Sequence, residues 1–333
     1  MQSHRIKQEL DVLDSLLRNE TFALSMAASL HASYYEGIGQ EPPPFLSPTD
    51  ETTAVKTSPK DECVAINLAG FYALECCVDA LSAGTNEPPF IWIERFANGR
   101  GVSSNAFLLH RFANATWKAA QPFRSLERIT QKNFTGTDLL HENRAKKNAV
   151  QLRAAAAKLL DTLQPVKSAT LPEQMVALRN LLHDTVYAEE MARHLHAVYA
   201  LSQGQQPNLF SEASDDKPII KTERQLKIAA NLAGFNAMEC AVNYLATEKN
   251  ILPSTLLQKL LSKTLPKEDE TLFARFANAT WKAGQPFRGL ARITRPVFVP
   301  FYFLPESDVE KDRVQARAAA KIVLPLLVQR SSR

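Results

Sequence analysis

RFANATWKAAQPFR at residues 111–124 returns as RFANATWKAGQPFR at residues 275–288, 164 positions later with one difference in fourteen. Chance does not produce a match of that length, and a long internal repeat decides the fold before any local reading does. The register extends outward without gaps. Asn67-Leu68-Ala69-Gly70-Phe71 matches Asn231-Leu232-Ala233-Gly234-Phe235, and Glu75-Cys76 matches Glu239-Cys240. Downstream, Arg128-Ile129-Thr130 matches Arg292-Ile293-Thr294, and Arg153-Ala154-Ala155-Ala156 matches Arg317-Ala318-Ala319-Ala320. Upstream the offset becomes 165, with Leu30-His31-Ala32 and Tyr34 returning as Leu195-His196-Ala197 and Tyr199. The duplicated unit runs from about Leu13 to Leu160 and again from about Leu178 to Leu324. These matches predict a first unit over 1–163, a linker over 164–172 and a second unit over 173–333.

The predicted fold class is all-α, with two homologous helical-bundle units related by pseudo-twofold symmetry. A weaker similarity between Leu195-His196-Ala197-Val198-Tyr199 and Ala277-Asn278-Ala279-Thr280-Trp281 is compatible with four quarter-repeats. Within the first unit, periodicity predicts helices near 10–35, 61–82, 104–120 and 142–161, with a break around Pro88-Pro89-Phe90-Ile91-Trp92-Ile93. The second helix has its counterpart near 223–246. Segments Pro42–Lys60 and Gln206–Lys217, polar and proline-bearing, read as surface loops.

Composition narrows the function classes. Hydrophobic residues make up 45% of the 333 residues and charged residues 22%, as in an ordinary globular protein. No run approaches the roughly 18 consecutive apolar residues of a spanning helix, so no membrane association is expected. The N-terminal residues lack the apolar core of a secretory signal, and cytoplasm is the expected location. A net charge of +4 is mild, which leaves a nucleic-acid partner possible but not favoured. Cys63, Cys76, Cys77 and Cys240 lack metal-ligand spacing, and no metal or cofactor is implied.

The third helix holds the candidate site. At 100° per residue, Arg111, Asn114, Lys118 and Gln121 form one polar stripe, with Leu108, Phe112, Ala115 and Ala119 opposite. Trp117 stands at the margin and Arg124 beyond the helix end. The second copy supplies Arg275, Asn278, Trp281, Lys282, Gln285 and Arg288. Cations, amides and an aromatic face suit a small anionic or nucleotide-like ligand. The alternative is structural: Glu75 and Glu239 could pair with Arg111 and Arg275. Lys118, Lys282, Gln121 and Gln285 are expected near the surface, and both tryptophans largely buried.

His31 and His196 are the histidines common to both copies, and they complete the candidate set. No acid–base constellation accompanies them, and there is no glycine-rich phosphate loop or His-Glu-x-x-His. A non-catalytic binding or regulatory protein, with a small anionic ligand or a protein partner, is therefore expected ahead of a hydrolase acting on a nucleotide-like ligand.

Ala192-Arg193-His194-Leu195-His196-Ala197-Val198-Tyr199, Phe298-Val299-Pro300-Phe301 and Leu304-Pro305-Glu306-Ser307-Asp308-Val309-Glu310-Lys311-Asp312-Arg313 together resemble the ryanodine-receptor repeat. Asn114 and Asn278 stand where that family carries histidine. The resemblance implies a two-repeat helical module used for binding or regulation, and it brings no catalytic residues.

Overall fold

Thirteen α-helices and one two-stranded ribbon make up the computed structural model, which describes residues 2–37, 39–100, 103–131, 134–135, 142–207 and 218–331. The all-α class is therefore the observed one. The helix expected near 10–35 is two, α1 (Gln2–Leu17) and α2 (Glu20–Gly37). Asn19 separates them, its Oδ1 accepting from Phe22 N at 2.9 Å, so the side chain satisfies an amide that a new helix start would leave open. The proline-bearing segment 42–60 is not a plain loop. It contains the short helix α3 (Pro48–Thr52) and strand β1 (Ala54–Thr57), and α4 (Pro59–Thr85) begins at its end. Most of the second such loop, residues 208–217, lies outside the described residues.

The predicted break at Pro88–Ile93 is instead the start of helix α5 (Pro89–Ala97). Pro89 occupies the first helical position, where the missing N–H costs nothing and the fixed φ favours initiation. Helix α6 (Ser103–Arg124) runs through Pro122 rather than stopping before it. Then come α7 (Glu142–Leu163), α8 (Leu171–His183), α9 (Thr185–Ser202), strand β2 (Ile219–Thr222), α10 (Glu223–Lys249), α11 (Pro253–Leu261), α12 (Lys267–Gly284) and α13 (Glu306–Ser331). Helices α4 and α10 are both 27 residues long. Each opens on a hydroxyl cap, Ser58 or Thr222, and each closes on an asparagine, Asn86 or Asn250, in the left-handed conformation.

Four long helices, α4, α6, α10 and α12, pack together at the centre. Phe112 of α6 stacks on Phe276 of α12 with ring centroids 4.3 Å apart, and Phe123 stacks on Phe287 at 5.4 Å. Strands β1 and β2 pair antiparallel, Ala54 opposite Thr222 and Thr57 opposite Ile219. The outer helices cross over. The pair α1 and α2 lies on α10 and α13, whereas α9 lies on α4 and α7. One continuous apolar core accordingly takes residues from both ends of the chain, from Leu13 and Met26 to Val323 and Leu327. Helix α4 is long and apolar enough to cross a membrane by composition, but 83% of its apolar window is buried against other helices.

Candidate functional site

The polar stripe of α6 and its copy on α12 is buried, which for its lysines and glutamines is contrary to expectation. Lys118 and Lys282 are both 0% exposed. Lys118 Nζ donates to Glu239 Oε2 at 2.6 Å, and Lys282 Nζ donates to Glu75 Oε2 at 2.6 Å. Each lysine thus takes its carboxylate from the other half of the chain. Burial works most strongly against the Lys118 charge, but Glu239, Cys240 and Asp14 together outweigh it and hold the ammonium pKa above its usual value. Lys282 is raised in the same way, burial opposing and the groups at Cys76 and Glu75 prevailing. The thiols of Cys76 and Cys240 donate to the same carboxylates at 3.1 Å. Burial first, and the adjacent glutamates second, push both thiols far up, so neither is a thiolate nucleophile.

The anticipated pairing of Glu75 with Arg111 and of Glu239 with Arg275 does not occur. Arg275 instead forms an ion pair with the fully buried Asp79 of α4, whose other oxygen accepts from Tyr302 N at 2.9 Å. Its guanidinium lies 4.4 Å from the ring centre of Phe301. Arg111 is fully buried, with its guanidinium 4.2 Å from the Phe107 ring centre. At the position matching Asp79 the chain has Asn243.

Gln121 and Gln285, also expected near the surface, are buried and tie the helix ends together. Each donates to the carbonyl four residues back, Trp117 O or Trp281 O, at 3.3 Å. Each accepts from an arginine of the following 3-10 turn, Arg128 or Arg292. Arg124 Nε reaches Glu62 Oε1 at 3.5 Å, and Arg288 is exposed. Trp117 and Trp281 are half-buried rather than largely buried, packing beside Phe134 and Phe298 respectively. His31 Nε2 is 3.2 Å from Pro43 O with the ring between Tyr35 and Phe45, and His196 is half-buried on α9. The structure gathers neither histidine into an acid–base pair with the stripe.

Of the predicted residues, Asn278 and Trp281 stand in a different setting. They line a groove of about 190 Å³ between α2, α12 and α13, together with Tyr34, Asp308, Lys311 and Asp312. Val297 and Leu304 form its apolar lining. Asn278 is 4% exposed, and its Oδ1 has no hydrogen-bond partner among the described residues. Asp308 is held by Lys311 at 2.6 Å. Asp312 has no such ion-pair partner among the described residues, and burial, followed by the nearby Asp308, pushes its carboxyl up to about 8 against the pull of Lys282 and Lys311.

Tyr34, Asp308 and Asp312 were not candidates from the sequence. The signal available was divergence: with the 164-residue offset, Asp308 and Asp312 correspond to Arg144 and Asn148. A smaller cavity of about 40 Å³ lies beside Trp117, lined by Asn67, Gly70 and Gln151 among others. Asn114 Nδ2 donates to Thr135 O at 3.3 Å, while its Oδ1, like that of Asn278, has no hydrogen-bond partner among the described residues. The described residues hold no group of three or more His, Cys, Asp or Glu side chains arranged to bind a metal ion.

No family model, no curated protein and no solved structure matches the chain.

Proposed function

We propose that this chain is a non-catalytic binding module, built by internal duplication, that takes a small molecule in the groove between α2, α12 and α13. The observation that carries the reading is the Asn278 side chain: a buried amide oxygen without a donor, lining a groove, is a vacancy a ligand would satisfy. Duplication about a pseudo-twofold axis is supported by Phe112 against Phe276, Phe123 against Phe287, and the reciprocal pairs Lys118–Glu239 and Lys282–Glu75. Each phenylalanine meets its own counterpart, and a twofold operation would carry one ion pair onto the other. The resemblance to ryanodine-receptor repeats points the same way, toward recognition without chemistry.

On this reading Lys118, Arg275 and Lys282 hold the two halves together, Gln121 and Gln285 tie their own helix ends, Arg111 stays buried, and none of them touches ligand. Ion pairs this deeply buried cannot release a lysine to an anion without leaving a carboxylate uncompensated. The test is a fragment screen observed through the three tryptophan indole N–H signals in two-dimensional NMR, with Trp281 identified by Trp281→Phe. Hits that shift the Trp281 signal while leaving that of the buried Trp92 in place support the groove. Hits that map elsewhere overturn it.

A second reading keeps the anionic ligand and moves it to the turn after α12. Burial, with the like charges of Arg288 and Arg295, pushes Arg292 down to about 10, and among the described residues only Arg288 feels a nearby carboxylate, that of Glu223. An anion there would relieve the mutual repulsion. Phosphate binding that weakens in Arg288→Ala and Arg292→Ala would support it, and indifference to both substitutions would remove it.

A further inference from the structure

The proposed groove is lined by acceptors. Asn278 offers a buried oxygen with no donor, and Asp312 offers a carboxyl with no ion-pair partner, both among the described residues. Lys311 does not balance this, because its ammonium is already committed to Asp308 at 2.6 Å. The aromatic side chains Trp281 and Tyr34 complete the lining, and Tyr34, 38% exposed, stands where the groove meets solvent. Acceptors and aromatic rings lining one groove suit a cation, since a π-face attracts positive charge as a carboxylate does. An anion would meet two aspartates and a tyrosine. A neutral alcohol would satisfy Asn278 and leave Asp312 unused.

We propose that the groove binds one small organic cation carrying N–H donors, a protonated alkylamine or an alkylguanidinium, with Asn278 and Asp312 accepting its hydrogen bonds. This rests on the reading of the groove as the binding site and names its ligand class. The volume of about 190 Å³ suits a head group of a few heavy atoms, whether free in solution or at the end of a lysine or arginine side chain. The second copy of the sequence motif does not duplicate the site. Tyr199, Asn114 and Trp117 repeat the aromatic and amide positions, but Arg144 and Asn148 replace the two aspartates, which leaves that copy without a carboxyl for a cation. One cation binds per chain.

Binding is coupled to a proton. The groups facing Asp312 are Asp308 and Lys311 on its own helix, Lys282 on α12 and Tyr34 on α2. With its carboxyl raised to about 8, Asp312 is mostly protonated at neutral pH in the empty groove. A cation favours the ionised form, so binding releases that proton. Affinity therefore rises with pH, by up to about tenfold per unit below the Asp312 pKa, and levels above it.

The experiment is calorimetric titration of the full chain with methylguanidinium and n-butylammonium, against the neutral n-butanol and the anion acetate, at pH 6, 7 and 9. NMR follows the Trp281 indole signal in parallel. The expected result is one site per chain, cations at least tenfold tighter than n-butanol, acetate not bound, and affinity climbing from pH 6 to 9. Asp312→Asn, nearly isosteric, should weaken cation binding at least tenfold at pH 9 and abolish the pH dependence, with an unchanged circular dichroism spectrum showing that the fold is kept. N-acetyl-arginine amide binding more tightly than methylguanidinium would identify a protein side chain as the source, and weaker binding a free molecule. Butanol or acetate moving the Trp281 signal as well as the cations do, or wild-type affinity in Asp312→Asn, overturns the cation class and leaves the groove standing. If none of these probes, nor any hit of the fragment screen, moves Trp281, the groove reading falls with it.

Discussion

Phe112 and Phe276 lie face to face, 4.3 Å between centroids and 15° between planes, although 164 residues separate them in the chain. Both are fully buried, and each is the counterpart of the other in the repeated sequence. A residue can touch its own counterpart only close to a twofold axis, so this contact marks where the proposed axis passes.

Truncating either ring removes two kinds of contact, the stack and the surrounding apolar core. Phe112→Ala is expected to cost about 3–5 kcal/mol, the range for large aromatic deletions from a core. Guanidinium denaturation monitored by circular dichroism measures it. A loss under about 1 kcal/mol would mean that the core closes over the vacancy.

Lys282→Met leaves Glu75 buried without its cation, and the expected loss is about 3–5 kcal/mol. The double substitution Lys282→Met with Glu75→Leu removes both charges and should recover most of that loss, since a well-packed apolar pair often matches a buried ion pair. Urea denaturation of the two variants and the wild type checks the cycle. A double variant no better than the single one would show that Glu75 has a second role in the core.

The one difference between the fourteen-residue copies has a steric cause. A Cβ added at Gly284 would lie 2.8 Å from Phe123 Cε2, closer than real contacts allow, whereas the first copy carries Ala120. Gly284→Ala must displace the Phe123 ring from its stack on Phe287, with an expected cost of about 1–3 kcal/mol by overpacking. Ala120→Gly should cost only about 0.5–1 kcal/mol, the helix-interior penalty for glycine. Thermal melts of the two variants should rank them in that order.

The helices that bury most, α4, α6, α10 and α12, were legible because their apolar positions repeat and their ends carry proline, hydroxyl or asparagine signals. The site was less so. A helical wheel places Lys118 and Gln121 opposite Phe112, and a polar stripe opposite a core ordinarily faces water. Here α6 is covered on both sides, by α4 and by α10, so the stripe meets another buried helix. The hint lay in the neighbours of Lys118, a run of alanines, Thr116 and Trp117 with no second charge. Asp312 carries no such signal, because it stands where the copies differ, with Asn148 at the matching position.

Asp312 also leaves a mark on stability. Its carboxyl titrates near 8 in the folded chain and at about 3.9 in an unfolded one. Between those values the folded state holds a proton that the unfolded state has released, so this group's contribution to stability falls as pH rises from about 4 to 8 and is flat above. Asp312→Asn lacks the titration. Its melting temperature should match the wild type near pH 4 and exceed it increasingly up to pH 8. A difference that stays constant across this range would place the Asp312 carboxyl in an ordinary aqueous setting.

The crossing of the outer helices bears on how the chain is made. Helix α4 is synthesised early, yet two of the helices that cover it, α9 and α12, leave the ribosome more than a hundred residues later. Domains ordinarily fold in the order in which they emerge, N-terminal first. Here the nascent first half carries a long apolar helix that nothing yet translated can fully enclose, and it must wait, or be sheltered, until translation nears its end.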